Sequence, residues 1–108
     1  MQNRINQITQ ILDAKKAEDI EVIDMSGRDY IAKFVIIATT LNPRHGSSLK
    51  DELSNTLKPL GEKFLGTEES DEWVVIDLGD ILIHLMSQNY RAKYNIEEFL
   101  NELKNTKG

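Results

Sequence analysis

The segment from Arg44 to Asp51 holds the residue types of a hydrolytic triad. It reads Arg-His-Gly-Ser-Ser-Leu-Lys-Asp, so serine, histidine and a carboxylate follow one another closely. In a triad these groups come from separate elements, because the base must accept the serine proton while the acid orients the ring. Residues one to three apart at the start of a helix cannot easily converge in that way. We therefore interpret Arg44 and His45 as solvated first-turn residues or partner contacts.

Ser47, Asp77 and Asp80 could instead belong to a nucleotidyltransferase that holds Mg²⁺ between carboxylates. Two carboxylates at positions i and i+2 of a strand share a face and can chelate one ion. Asp77 and Asp80 flank a turn instead, so the match is weak. His84 and Asp80 on one strand lie about 13 Å apart at roughly 3.3 Å per residue, too far to share a metal. We expect no cofactor and no enzyme, with a residual nucleotidyltransferase as the alternative.

Composition narrows the classes of function. The 108 residues suit one domain, 1–108, and the lack of cysteine excludes disulfides, thiolate zinc sites and cysteine nucleophiles. Thirteen basic and 18 acidic residues give a net charge of -5, which favours a basic protein surface over free nucleic acid as the main partner.

The acidic run Glu68–Glu72 lacks EF-hand spacing and predicts a solvated loop. The polar N-terminus and short apolar runs predict a cytoplasmic protein, not a membrane protein.

Hydrophobic spacing predicts the elements that position these groups. Residues 3–16 predict an amphipathic helix, and residues 20–25 predict a strand that ends at a turn cluster. Residues 34–38 are apolar throughout and predict a central strand that is covered on both sides. A second helix is predicted to begin at Asn42-Pro43. Asn can cap the helix, and Pro at the first helical position lacks only an N–H that would have no partner within the helix. Its buried stripe is Leu49, Leu53 and Leu57, and it ends at Pro59 and Gly61.

The remaining elements complete a mixed sheet. Phe64-Leu65 predicts a short edge strand before the acidic run. Asn95, with Glu98 three residues later, resembles a capping box and predicts a last helix. The element order predicts an α+β (α/β-like) fold, with a mixed sheet of about five strands flanked by helices. The inner face of the last helix would hold Ile96, Phe99, Leu100 and Leu103.

The segment from Trp73 to Met86 predicts a β-hairpin with two unlike faces. With Leu78-Gly79 as its loop, Ile76 lies opposite Ile81 and the side chains alternate between the faces. One face is wholly aliphatic and suits the core. The other mixes the only tryptophan with aliphatic, acidic and imidazole side chains. The aliphatic face holds Val74, Ile76, Ile81, Ile83 and Leu85; the mixed face holds Trp73, Val75, Asp77, Asp80, Leu82, His84 and Met86.

The mixed face predicts a protein contact, because it is too polar for a core without water and too apolar for a surface that contacts only solvent. Burying a tryptophan removes roughly 150–250 Å² from water, worth about 4–6 kcal/mol before costs. The alternative interpretation is that Trp73 and His84 lie beneath a helix. The register above sets Asp77 opposite Asp80, which is unfavourable for like charges, so a wider loop that exposes Leu78 is also open.

Short motifs match one known pattern over nearly the whole chain. They are KAEDI at 16–20, DMSG at 24–27, FVIIAT at 34–39, Arg44-His45, PLG at 59–61 and WVVIDLGDILIH at 73–84. The closing segment reads Arg91-x-x-Tyr94-x-Ile-Glu-x-Phe99. Together these motifs resemble the bacterial ribosomal silencing factor, or Iojap, family, and the segment at 73–84 is the most specific of them.

The resemblance implies a nucleotidyltransferase-like fold without catalytic carboxylates. It also implies binding to ribosomal protein L-fourteen on the large ribosomal subunit, a steric block of subunit joining, and repression of translation under nutrient limitation. A large-subunit assembly factor is an alternative that would use the same surface, and a homodimer off the ribosome is open. The expected partner-binding residues are Trp73, Asp77, Leu78, Gly79, Asp80, Leu82, His84 and Met86, with Arg44, His45 and Tyr94 as additional contacts.

Overall fold

The five strands of the structure, a computed structural model that describes residues 2–27 and 32–94, form one mixed sheet. Their order is β1-β2-β5-β4-β3; β2 and β5 run parallel, and the other neighbours run antiparallel. This confirms the predicted α+β fold with a mixed sheet. The elements are α1 (Gln2–Ala14), β1 (Glu18–Asp24), β2 (Phe34–Thr40), α2 (Pro43–Leu57), a 3₁₀ turn (Lys58–Leu60), β3 (Gly66–Glu69), β4 (Trp73–Asp77), β5 (Ile81–Ser87) and α3 (Gln88–Tyr94).

The helices α1 and α2 cover one face of the sheet. The side-chain oxygen of Asn42 accepts the His45 backbone N–H at 2.8 Å, and Pro43 follows it at the first helical position, as predicted. The predicted aliphatic face of the hairpin packs beneath these helices. The core on this face includes Ile5, Ile8, Leu12, Ile36, Ala38, Leu49, Leu53, Leu57, Val74, Ile76, Leu78, Ile81, Ile83 and Leu85.

The opposite face of the sheet holds a second, smaller apolar cluster. Trp73 and Tyr90 pack against it while remaining partly exposed. Because β2 lies between the two clusters, its residues 35–38 are fully buried, which confirms the predicted central strand. The buried members of the smaller cluster are Ile23, Met25, Ala32, Val35, Ile37, Leu82 and Met86.

The hairpin of β4 and β5 has a different register from the one predicted. Ile76 pairs with Ile83 rather than with Ile81, and Asp77 lies opposite Leu82. The predicted pairing was therefore wrong by two residues. The predicted faces are nevertheless correct for the strand residues, because a shift by an even number of residues keeps each side chain on its side of the sheet. Asp80, which was predicted on the mixed face, lies in the loop instead.

The hairpin loop is Gly79-Asp80, not Leu78-Gly79. The Leu78 N–H donates to the Ile81 carbonyl at 2.9 Å and closes the loop. Gly79 has φ +93°, a left-handed conformation in which a side chain would be strained, and its N–H donates to Asp77 Oδ1 at 2.8 Å. This arrangement buries Leu78 in the core and separates the two aspartates, which removes the predicted like-charge contact.

The edge strand β3 lies just beyond the predicted Phe64-Leu65 strand. Its pairing with β4 starts where the Leu65 N–H donates to the Asp77 carbonyl at 2.8 Å. All four residues of β3, Gly66 included, are exposed, so no apolar pattern marks this strand in the sequence. Consequently Glu68 and Glu69 belong to a strand, and the predicted acidic loop is shorter than expected.

The short helix α3 was not predicted. It begins directly after β5, where the Ser87 hydroxyl oxygen accepts the Tyr90 backbone N–H at 3.1 Å. The predicted last helix, which starts at Asn95, lies outside the described residues. Within residues 2–27 and 32–94, no helix has the length and apolar character needed to cross a membrane.

Candidate protein-contact site

A pocket of about 230 Å³ opens on the face of the sheet opposite α1 and α2. Neighbouring strands build it through their register: Trp73 lies beside Met86, Val75 beside His84, and Glu68 beside Val75. The helix α3 closes it with one aromatic ring. We call it the Trp73 pocket; its walls are Glu68, Trp73, Val75, His84, Met86 and Tyr90.

The aromatic side chains of this pocket continue outwards along α3. Trp73 is half-buried and packs, with Tyr90, against the smaller cluster. The ring of Tyr90 lies 4.5 Å, centroid to centroid, from that of Tyr94, which is 54% exposed. The indole is therefore anchored but reachable. An aromatic surface of this kind with a polar rim is typical of the centre of a protein–protein contact.

His84 is one of the polar residues of the pocket wall. Burial of its ring lowers the pKa of the imidazole below its usual value of 6.5, so the ring is neutral at pH 7. Its Nε2 atom is buried and finds no hydrogen-bond partner in the described part of the chain. An unpaired buried nitrogen costs free energy, and structures usually avoid one.

Three of the expected contact residues are buried: Leu78, Leu82 and Met86 are only 7%, 6% and 1% exposed. The expectation that the whole mixed face is open is therefore wrong. Leu78 packs in the core beneath the helices, whereas Leu82 and Met86 belong to the smaller cluster. These side chains support the surface from below and offer little contact area of their own.

The Asp77–Asp80 turn lies at the other end of the hairpin from Trp73. Asp77 is about 13 Å from Trp73 along β4 at roughly 3.3 Å per residue. The Asp77 carboxylate is used inside the turn, where it accepts the Gly79 N–H. The predicted contact residues therefore fall into two groups, one at each end of the hairpin.

Asp80 is held by Arg4, near the start of α1. Arg4 Nη1 and Nη2 lie 2.7 and 3.0 Å from the two Asp80 carboxylate oxygens. The same guanidinium donates from Nε and Nη2 to both oxygens of Glu62, at 2.6 and 2.8 Å. Hydrogen bonding to Arg4 lowers the pKa of the Asp80 carboxyl. We call these three residues the Arg4 clamp, and they join α1, the segment after the 3₁₀ turn, and the hairpin loop.

His45 connects two backbone segments. Its Nδ1 accepts the Leu41 N–H at 2.9 Å, and its Nε2 lies 2.7 Å from the Lys15 carbonyl oxygen. Since the Lys15 carbonyl can only accept, Nε2 is the donor in that contact. With both nitrogens engaged inside the chain, His45 has a structural role, while the neighbouring Arg44 is exposed.

Replacing His45 with alanine is expected to lower the free energy of unfolding by about 1–3 kcal/mol, because two hydrogen bonds are lost. Urea unfolding at pH 7 measures this difference. Arg44→Ala is the matched control, and its effect should stay within about 0.5 kcal/mol, as is usual at exposed positions. Equal effects of the two substitutions would contradict the structural role of His45.

The residues weighed for catalysis are not brought together. Lys50 and Ser47, both on α2, hydrogen-bond to Glu69. These bonds lower the pKa of the Glu69 carboxyl, and the bond from Lys50 has the larger effect. His45 is engaged with the backbone, as described above, and does not face Ser47 as a base. Among the described residues there is no group of three or more histidine, aspartate or glutamate side chains that could hold a metal ion.

Sequence reasoning missed Tyr90 and Glu68 as pocket residues. Tyr90 lies four residues before Tyr94, which was predicted as a contact, and this spacing places two side chains on one face of a helix, so it could have found Tyr90. Glu68 lacked a signal because no apolar pattern identifies β3. Arg4 was also missed, since its partners lie 58 and 76 positions away in the sequence.

Comparison with known proteins places this chain in one family. A family model described as "Ribosomal silencing factor during starvation" matches residues 1–107. The ribosomal silencing factor RsfS of Haemophilus influenzae is 31% identical over 93 residues, which cover 84% of this chain and 91% of that protein. The chloroplastic protein Iojap of Zea mays is 32% identical over 89 residues, which cover 78% of this chain and 37% of that protein.

Two solved structures share the fold. A crystal structure from Chromobacterium violaceum has a TM-score of 0.87 and 29% identity, and covers 100% of this chain and 89% of that chain. A second crystal structure, from Bacillus halodurans, has a TM-score of 0.81 and 27% identity, and covers 92% of this chain and 94% of that chain. Because the family model spans nearly all of the sequence and the relatives agree with it, this chain belongs to the ribosomal silencing factor (RsfS/Iojap) family.

Proposed function

We propose that this protein represses translation by binding ribosomal protein L-fourteen on the large ribosomal subunit and blocking subunit joining. The observation that supports this proposal most strongly is the half-buried indole of Trp73, which adjoins the exposed ring of Tyr94 through Tyr90. Such an aromatic anchor beside a pocket binds protein surfaces without any chemical step. Membership of the silencing-factor family supports the ribosome as the partner.

The charge around the Trp73 pocket suits a basic partner. Glu68 lies in the pocket wall, and the exposed residues Asp71 and Glu72 follow in the loop that leads to Trp73. The whole chain carries a net charge of -5. Ribosomal proteins are commonly basic, so this potential would attract the partner and be repelled by the surrounding RNA, which favours one orientation.

The size of the molecule is sufficient for a steric block. Its principal extents are 38 × 33 × 22 Å. Contacts between ribosomal subunits need hydrogen-bond distances of about 3 Å. A protein held on the joining face by the Trp73 pocket would therefore keep the subunits apart in any orientation, and no catalytic activity is required. Off the ribosome, the same aromatic surface would be available for a homodimer.

The experiment is cosedimentation with isolated subunits, followed by a joining assay monitored by light scattering. We expect the protein to pellet with large subunits but not with small subunits, and to reduce joining in proportion to the large subunits occupied. Binding that leaves joining unchanged would contradict the steric block and favour the alternative, a large-subunit assembly factor. Heat released on titration with Mg²⁺ and nucleoside triphosphates would contradict a purely binding role.

A further inference from the structure

Arg91 is a buried arginine on α3, and its side chain reaches across to β2 and to the edge strand β1. The residue is only 9% exposed. Its Nη1 donates to the Asp19 carbonyl at 2.7 Å and to the Thr39 hydroxyl at 2.9 Å, and Nη2 lies 3.9 Å from Glu21 Oε2. A buried guanidinium is stable only when its donors are used in this way. Arg91 therefore connects α3 to β1 and β2.

The carbonyl that accepts from Arg91 belongs to an irregular part of β1. Asp19 has φ +48°, the left-handed region that is unfavourable for a residue with a side chain. The pairing of β1 with β2 is shifted between Glu18 and Glu21, so the strand bulges at this point. A bulge turns backbone groups out of the ladder, and here one of them becomes the acceptor for a side chain on α3.

The helix α3 depends on such anchors for its position. In proteins a helix is stabilised mostly by its packing against other elements rather than by the helix alone. Its start is fixed by the Ser87 hydroxyl, Tyr90 packs against the smaller cluster, and Arg91 adds hydrogen bonds to β1 and β2. Tyr90, directly before Arg91, supplies a wall of the Trp73 pocket, and Tyr94 extends that aromatic surface.

We propose that Arg91 is a positioning residue for partner binding: it anchors α3 to the bulge of β1 and to Thr39, and so holds the Tyr90 and Tyr94 rings beside Trp73. Arg91 does not touch the partner. A lysine at this position keeps the charge, but its side chain is shorter than the path to Nη1, which makes both hydrogen bonds, and it has no second nitrogen to face Glu21, so it cannot reproduce the anchor. The binding part of this inference rests on the proposed function, whereas the geometric part does not.

The geometric part is tested in the free protein with Arg91→Lys. Trp73 is the only tryptophan of the chain, so its fluorescence reports on the pocket alone. We expect a red-shifted emission and stronger quenching by acrylamide, because a displaced Tyr90 uncovers the indole. The control is Ile76→Val, which loosens the core on the opposite face and should leave the emission unchanged. An unchanged emission in folded Arg91→Lys would overturn the proposal.

A second variant, Thr39→Val, applies if Arg91→Lys does not fold. It keeps the shape of the side chain and removes one of the two acceptors, so a smaller red shift in the same direction is expected. An emission identical to that of the unmodified protein would overturn the proposal in this case too.

The binding part is tested by cosedimentation of the same variants with large subunits. Arg91→Lys should weaken binding about tenfold, while Ile76→Val should bind normally. If the unmodified protein does not bind large subunits but Arg91→Lys still changes the emission, the proposed function fails and the positioning role of Arg91 stands. Normal binding by a variant whose emission has shifted would overturn the link between Arg91 and the partner.

Discussion

Replacing Trp73 with alanine is expected to abolish cosedimentation with large ribosomal subunits, while the protein stays folded. The indole is the largest reachable side chain of the pocket, and truncating such an anchor costs about 2–4 kcal/mol of binding, or roughly 30- to 1,000-fold in affinity. The core beneath α1 and α2 is untouched, because Trp73 packs only against the smaller cluster on the other face. Circular dichroism and urea unfolding of the variant check that the fold is retained.

The matched control for this variant is Leu60→Ala. Leu60 is 60% exposed and lies in the 3₁₀ turn after α2, away from the Trp73 pocket. Removing it takes away exposed apolar surface of a different region, so binding should be unchanged. Retained binding by Trp73→Ala, or an equal loss with Leu60→Ala, would contradict the contact site proposed here.

The second large effect is expected from Arg4→Met, which should lower the free energy of unfolding by about 2–4 kcal/mol at pH 7. The variant leaves Asp80 and Glu62 without the guanidinium that their oxygens share, and the Glu62 side chain is only 9% exposed. Urea unfolding measures the difference. Lys50→Met serves as the control, because Lys50 pairs with one carboxylate where Arg4 pairs with two, and this pair should contribute about 0–1 kcal/mol.

The effect of Arg4→Met should also depend on pH. Because Arg4 lowers the pKa of Asp80 in the folded protein, the clamp stabilises the fold fully above the unfolded carboxyl pKa of about 3.9. That contribution is lost as the pH falls through the lower, folded value. The stability difference between the unmodified protein and Arg4→Met should therefore be largest at neutral pH and narrow below about pH 4. A difference that stays constant down to pH 3 would contradict the clamp.

Local sequence patterns predicted the elements that depend on interactions between residues close together in the chain. Asn42 and Pro43 marked the start of α2 because a cap and a missing amide act within one turn of helix. The leucine stripe of α2 and the two faces of the hairpin followed from periodicity. The hairpin register did not, because it depends on the burial of Leu78 and on the Asp77–Gly79 hydrogen bond, which alternation cannot reveal.

The candidate site was predictable only in part. Trp73 and His84 stood out because their residue types are unusual on a mixed face, and the structure places both in one pocket. The Arg4 clamp and the Arg91 anchor were not predictable. Each joins residues far apart in the chain, and a single sequence does not indicate which basic side chain meets which acceptor.

The parallel pairing of β2 with β5 has a consequence for the order in which the chain folds. The β1–β2 and β4–β5 pairs join neighbouring segments, whereas the parallel pair unites strands separated by α2, the 3₁₀ turn, β3 and β4. Closing that long segment costs chain entropy before any contact is gained. The docking of the two pre-formed halves at the centre of the sheet would thus be the slow kinetic step. The Trp73 pocket would be completed only at that step, because Arg91 joins α3 to β1 and β2 of the N-terminal half.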